Sequence, residues 1–336
     1  MRTLGRLGVG VIGLGGWGEI HVQAWQSLPL VTVQAVCSRR AERAAEIAQR
    51  FGVARWCTTP EELVADPSVD LVSVVNDERD HRQAVLAAVA AGKPVLVEKP
   101  IATRLDDARA MVEAAAAAGV SLMPAHVLRF DTRLAMLKDR VLAGDLGQVV
   151  SIYARRLIPR DRYATYQRTH PALNAAIHDI DLALWYADSP VTAVRAHERN
   201  IQGGQAPDVL WATMEFASGA LAVIENLWLV PEHAGVWLDA ETEIVGSSGM
   251  ARVRFPGDAM SLWLERGPQA PDTTLVPIAG GAMQGALCDQ FAYFVRCVVA
   301  GRPPLRVTGN DALRSLEVTL AIVESAATNR EVRLAA

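Results

Sequence analysis

The chain has little of several features that would each point to a different class of protein. Among 336 residues there are only four cysteines, Cys37, Cys57, Cys288 and Cys297. None falls in a CxxC pair and no histidine stands at zinc-finger spacing, so neither a disulfide scaffold nor a metal site is indicated. Free cysteines are often simply buried, and reduced thiols fit a cytoplasmic protein. Lys and Arg total 33 against 37 Asp and Glu, a net charge of −4. No basic run offers a footprint for nucleic acid, and no acidic tail is present. No uninterrupted apolar stretch reaches ~18 residues, the least that spans a bilayer. Arg2 and Arg6 lie among Gly5 and Gly8 and a strand-like run follows directly, so the apolar h-region of a secretory signal is missing. The expectation is a soluble cytoplasmic protein that engages neither nucleic acid nor membrane.

What the chain does have is apolar bulk, 51% of its residues. Its length passes the roughly 250–300 residues at which single cores stop growing, so two domains are expected. Over the first third, short apolar runs alternate with helical patterns. Strands are expected at 7–12, 31–38, 71–75, 95–97 and 121–125, and helices at 19–27, 41–51, 79–91 and 105–118. Such alternation implies βαβ units and a parallel sheet buried on both faces. From about residue 124 the pattern changes to one helix at 130–143 and strand signals at 149–157, 191–201, 209–216, 220–230, 236–245 and 251–255. Ser218-Gly219 reads as a hairpin turn. A helix at 174–187 interrupts this region, and helices at 283–300 and 311–328 and a strand at 331–334 close the chain. The fold class is therefore α/β. A doubly wound parallel sheet occupies 1–123, followed by an α+β domain over 124–336 with a large, mostly antiparallel open sheet. The C-terminal helix is free to pack back on the first domain.

Gly13-Leu14-Gly15-Gly16-Trp17-Gly18 fits GxGxxG, follows a strand and opens a helix. In a Rossmann domain the first glycine allows the tight turn, the second lets backbone approach a pyrophosphate, and the third lets helix and strand pack closely. Gly13, Gly15, Gly16, Trp17 and Gly18 are thus candidate dinucleotide contacts, with free N–H groups at the helix N-terminus. A carboxylate at the end of the second strand would accept from a ribose 2′-hydroxyl, whereas an arginine accommodates a 2′-phosphate. Here the sequence is Cys37-Ser38-Arg39-Arg40, with no carboxylate until Glu42. Ser38, Arg39 and Arg40 therefore favour NADP(H) over NAD(H).

Two further constellations carry ionisable groups. Glu98-Lys99-Pro100 closes a strand at the carboxyl edge of the sheet, where doubly wound folds bind ligands. On the helix that begins near residue 174, Asn174, His178 and Asp181 share one stripe by i, i+3 and i, i+4 spacing. Taken alone, Lys99 is equally well a surface lysine and His178 a core histidine.

Together these segments resemble the glucose–fructose oxidoreductase / inositol dehydrogenase (Gfo/Idh/MocA) family over nearly the whole chain. The similarity lies in the glycine loop with His21 after it, in Asn76 to His81, and in Ala90-Ala91-Gly92-Lys93-Pro94-Val95-Leu96-Val97-Glu98-Lys99-Pro100. It continues through Ala125-His126-Val127-Leu128-Arg129-Phe130, Gly144 to Val150 and His178-Asp179-Ile180-Asp181. The resemblance implies a Rossmann domain joined to a domain whose open sheet serves oligomerisation, as a dimer or tetramer, with the active site between them. It implies that Lys99 and His178 flank a reacting hydroxyl, that Glu98 contacts the nicotinamide side of the cofactor, and that Asn76, His81 and Lys99 are cofactor contacts as well. Many members carry Asp where this chain has Asn174. A neutral amide can orient an imidazole but supplies no counter-charge, a role that Asp181 would then have to fill.

The chemistry implied is hydride transfer between nicotinamide and a secondary hydroxyl or ketone of a sugar, nucleotide sugar, inositol or related polyol. His178 would serve as general base and Lys99 would stabilise the alkoxide. His126, Arg129, Arg155 and Tyr163 are candidate substrate contacts, the last two within a run that also holds Arg156, Arg160, Arg162 and Arg168. The same fold also serves enzymes that reduce an imine or an unsaturated ring, and non-catalytic NADP(H) sensors. A metal-dependent hydrolase lacks a third ligand beside His178 and Asp181.

Overall fold

Apolar, mostly valine-rich runs form the central strands of a parallel sheet. The computed structural model describes residues 6–256, 260–265 and 267–335. These group into two units, one of residues up to Val127 together with Ile278–Leu313, the other of Leu128–Pro277 and the residues from Arg314 onward.

In the first unit, β1 (Leu7–Ile12), α1 (Gly16–Gln26), β2 (Val31–Cys37), α2 (Ala41–Phe51), β3 (Arg55–Cys57), α3 (Pro60–Val64), β4 (Leu71–Val74), α4 (His81–Ala90), β5 (Val95–Val97), α5 (Leu105–Ala118) and β6 (Leu122–Pro124) follow one another. The six strands lie in the order β3-β2-β1-β4-β5-β6, all pairs parallel. Every residue of β4 and β5 is buried, as a sheet covered on both faces requires. Strand order reverses between β1 and β4, which opens a crevice at their carboxyl ends. Helix α1 starts at Gly16 rather than at Glu19, so the glycine loop itself forms the first turn.

The second unit holds α6 (Thr132–Leu142), β7 (Val149–Pro159), the single turn α7 (Tyr163–Tyr166), α8 (Ile177–Ala187), β8 (Val191–Arg199), β9 (Val209–Phe216), β10 (Leu221–Val230), β11 (Asp239–Gly246) and β12 (Met250–Phe255). A small hairpin of β13 (Leu262–Leu264) and β14 (Gly267–Gln269) follows. The chain then returns to the first unit with β15 (Ile278–Ala279), β16 (Ala282–Met283) and α9 (Ala286–Ala300), where Phe291 stacks on Trp25 of α1. It ends with α10 (Gly309–Thr328) and β17 (Val332–Arg333).

The second sheet has seven strands in the order β12-β11-β7-β10-β9-β8-β17. Its pairs are antiparallel except β7–β10, because β7 inserts between the two hairpins. A plain succession of hairpins, as the sequence suggested, lacks that insertion. Strand alternation buries Leu210, Ala212, Met214, Ala222 and Ile224 on one face, against which α8 lies. No helix among the described residues is long and apolar enough to cross a membrane.

Candidate active site

The glycine loop is shaped by close approach. Gly13 has φ +102°, and a Cβ there would meet the Asn76 backbone nitrogen at 2.3 Å. A Cβ on Gly18 would stand 2.1 Å from the Gly13 carbonyl oxygen. At Gly15 a Cβ would meet nothing within 4 Å, so the backbone at the head of α1 faces open space. The first helical N–H donation is Glu19 N to Gly15 O at 3.0 Å, which leaves the N–H groups of the preceding turn outside the helical ladder. Asn76 Oδ1, beside Gly13, is buried without a hydrogen-bond donor from the described residues. These groups suit the pyrophosphate of a dinucleotide.

At the end of β2, Arg39 and Arg40 are exposed and Ser38 is half-buried. Ser38 Oγ accepts from Arg40 N at 3.3 Å, and the Arg39 head pairs loosely with Asp80 at 3.1 Å, itself at the surface.

The corner after β5 is held by hydrogen bonds that converge on Glu98. Glu98 is buried and accepts from Trp17 Nε1 at 3.1 Å, from His21 Nε2 at 3.2 Å and from the Lys99 backbone N–H at 3.0 Å. Burial alone would raise its pKa, but hydrogen bonding and charge from His21, with Lys99 and Trp17, hold the carboxyl below its usual range. His21 Nδ1 lies 3.0 Å from Ser73 Oγ. Lys99 is half-buried, and its bond to Pro100 is cis.

His81 was expected to touch the cofactor; it is instead buried, with Nδ1 3.0 Å from the Pro100 carbonyl oxygen and 3.2 Å from that of Ile101. Burial lowers its pKa, so the ring is neutral and Nδ1–H donates to the loop that carries Lys99.

The sequence alone did not single out Ser73, and His21 entered only through the family resemblance. A signal existed. His21 lies three residues past Gly18, hence on the helix face that packs against the sheet.

In the second unit, a π-helical turn, Ala172–Ala176, precedes α8. From Pro171 to Leu184 every residue is buried except Asn174 and His178, which are half-buried. These two are four residues apart, one in the π-helical turn and one in α8. Asp181, expected on the same stripe, is instead 1% exposed, and its carboxylate accepts from Arg129 Nε at 2.8 Å and Nη2 at 2.7 Å, and from Ser315 Oγ at 3.1 Å. Arg129, expected at the substrate, is likewise buried in this bidentate pair.

The arginine run is dispersed by the pleat of β7. Successive side chains point to opposite faces. Arg156 goes inward to Asp179 of α8, at 2.9 and 2.8 Å, while Arg155 goes outward to Asp239 at 3.1 Å. Arg162 lies over the Trp237 ring. Tyr163 is buried and its hydroxyl donates to the Ala206 carbonyl, so it is turned away from solvent rather than offered to a ligand. His126 is buried as well.

A parallel sheet of this order with a glycine cradle at its switch point defines the class as dinucleotide-binding Rossmann proteins. Residues 7–126 match the model of an oxidoreductase family with an NAD-binding Rossmann fold, and residues 134–252 match the GFO/IDH/MocA C-terminal domain, so the chain belongs to the GFO/IDH/MocA oxidoreductase family. It is 29% identical to myo-inositol 2-dehydrogenase of Thermotoga maritima, over 97% of this chain and 98% of that one. With inositol 2-dehydrogenase of Paracoccus denitrificans it shares 34% identity over 74% of each chain. Its fold is similar to that of scyllo-inositol dehydrogenase from Lactobacillus casei with bound NAD(H) and scyllo-inositol. There the TM-score is 0.84 at 21% identity, over 98% of this chain and 99% of that one.

Proposed function

We propose that this chain interconverts a secondary hydroxyl and the corresponding ketone on a cyclic polyol or related sugar, with NADP(H) preferred over NAD(H). The observation that carries this is the Glu98–Lys99 corner. A buried carboxylate held by three donors fixes the backbone from which Lys99 projects, beside the glycine cradle. The nicotinamide, when bound, accepts or returns the hydride of the carbinol C–H.

The hydroxyl proton needs protein groups. His178, on the half-buried side of α8, takes it as general base, and the Lys99 ammonium stabilises the negative charge that develops on oxygen. Asn174, one turn before His178, orients the imidazole by hydrogen bonding and adds no charge. Glu98 positions and does not transfer protons, since its oxygens are occupied. Arg129 and Asp181 anchor α8 as a buried pair.

Relatives named as inositol 2-dehydrogenases favour a cyclic polyol over a nucleotide sugar, an imine or an unsaturated ring. The preference for NADP(H) rests on Ser38, Arg39 and Arg40 and on the lack of a carboxylate at the end of β2. A homo-oligomer is proposed through the outer face of the seven-stranded sheet, where Trp211, Leu221 and Met250 are exposed. Light scattering measures that state.

The test is a panel of inositols, sugar acids and nucleotide sugars with both dinucleotides, followed at the nicotinamide absorbance. Turnover of a cyclic polyol, faster at low cofactor with NADP+, is expected. Dinucleotide binding with no turnover across the panel would reject the reading in favour of a sensor.

A further inference from the structure

Two of the four cysteines form a cross-strand pair that the proposed chemistry does not use. In the parallel register of β2 and β3, Ala35 faces Arg55, Val36 faces Trp56 and Cys37 faces Cys57. Directly opposed residues of neighbouring strands project to the same side of a sheet, so the two side chains stand together. Their Cα atoms are a strand spacing apart, roughly 4.7–4.9 Å, inside the window of about 4.4–6.8 Å that a disulfide accepts. Both thiols are free.

The pair is graded in exposure. Cys37 is 2% exposed, whereas Cys57 is half-buried and its sulfur lies 3.5 Å from the Thr59 carbonyl oxygen. The hydrogen bond between the thiols holds Cys57 below the usual thiol range and, with burial, pushes Cys37 above it. Cys57 is therefore the thiol that reacts first. By contrast, Cys288 and Cys297 stand nine positions apart on α9, beyond the i, i+3 and i, i+4 spacings that bring helical side chains together.

The pair also has a strategic place. It ends both strands, and the next residue, Ser38, donates its backbone N–H to the Cys57 carbonyl at 3.2 Å. Ser38-Arg39-Arg40 is the turn assigned above to the cofactor's 2′-phosphate.

We propose that Cys37 and Cys57 are a redox site that closes to a reversible disulfide with a hydroperoxide and thereby weakens dinucleotide binding at the adjoining turn. The second half of this statement rests on the cofactor reading given above. The Cys57 thiolate attacks the terminal peroxide oxygen; an S–O bond forms, the O–O bond breaks, and the departing alkoxide picks up the thiol proton as an alcohol. The Cys37 sulfur then attacks the Cys57 sulfenic acid. An S–S bond forms, the S–O bond breaks, and hydroxide leaves with the Cys37 proton as water. Two thiols lose two electrons and the peroxide gains two. Closing the bond draws the Cβ atoms together by about 1 Å relative to the strand spacing, which displaces the Ser38 hydrogen bond and the turn behind it.

The test treats the full chain with hydrogen peroxide, alkylates the remaining thiols and maps the peptides by mass spectrometry. A Cys37–Cys57 linked peptide that dithiothreitol removes is expected. In parallel, the Kd for NADPH from nicotinamide fluorescence should rise about tenfold on oxidation and return on reduction, the effect of roughly one lost polar contact. Cys57→Ser and, separately, Cys37→Ala should give neither change. Alkylation of both thiols after peroxide, or Cys57 sulfinic acid without a link, overturns the proposal. A link with unaltered NADPH affinity overturns its regulatory half. A link in a chain that binds neither NADPH nor NADH when reduced upholds the disulfide and instead defeats the cofactor assignment.

Discussion

His21 Nε2 stands 3.2 Å from Glu98 Oε1 while its Nδ1 lies 3.0 Å from Ser73 Oγ, so one ring ties α1, β4 and the corner after β5 together. An ionised carboxylate only accepts, so Nε2–H donates to Glu98, while Nδ1 shares a hydrogen bond with the Ser73 hydroxyl.

His21→Ala should therefore cost about 1.5–3 kcal/mol, the range for a hydrogen bond to a charged group. Because the Glu98 carboxyl is held below 4.5, its stabilising share is present above that pH and is lost as pH falls through the lower folded value. In the variant the carboxyl should titrate higher and that share should shrink at neutral pH. Urea denaturation of both proteins from pH 4 to pH 8 measures it, and parallel curves would contradict the tie.

Burial depresses the imidazole pKa of His81 below its ordinary value of 6.5, and does the same at His170 despite Glu198. Below pH 6.5 the unfolded chain therefore binds more protons than the folded one, and stability should decline as pH drops. His81→Gln should flatten part of that slope. An unchanged slope would mean that His81 is not the group titrating.

Breaking the buried Arg129–Asp181 pair from one side removes a bidentate partner from a buried charge. Asp181→Ala should cost about 3–5 kcal/mol, and a double replacement by apolar residues of similar volume should recover much of it. A thermal melt of the two single variants and the double variant decides. A near-zero loss in the singles would show the pair to be dispensable.

Lys99→Met and His178→Ala should each lower kcat by about 10²–10⁴, the span for lost acid–base assistance, with little effect on dinucleotide affinity. Stopped-flow and steady-state kinetics on the substrate found in the panel measure this. Near-normal turnover in both would remove them from the mechanism.

Arg39→Ala should raise KM for NADP+ about 10-fold or more while barely changing that for NAD+, since only a 2′-phosphate gains a charge-assisted bond there. The loose surface pair with Asp80 contributes little to stability, so the fold should not suffer. Equal shifts for both cofactors would place Arg39 elsewhere.

Local patterns were enough for much of the first unit. α2 begins and ends where its Ala-rich run and Gly52 indicate, and Gly13 and Gly18 are glycine because a Cβ would collide with backbone. Asn174 and His178, four residues apart, are the two half-buried positions of a buried stretch, even though Asn174 lies in the π-helical turn before α8. Helical spacing misassigned Asp181, since one polar residue on a stripe is indistinguishable from another until its partner is known. That partner, Arg129, is 52 residues away in the chain.

The sequence by itself determined the βαβ alternation, the glycine cradle and the identity of the ionisable groups, since these follow from periodicity and steric need within a few residues. Only the tertiary structure decided which ions pair in the interior, that β7 inserts between two hairpins, and that Cys37 faces Cys57. Those outcomes depend on strand register and on desolvation between distant segments, quantities that no local window of sequence contains.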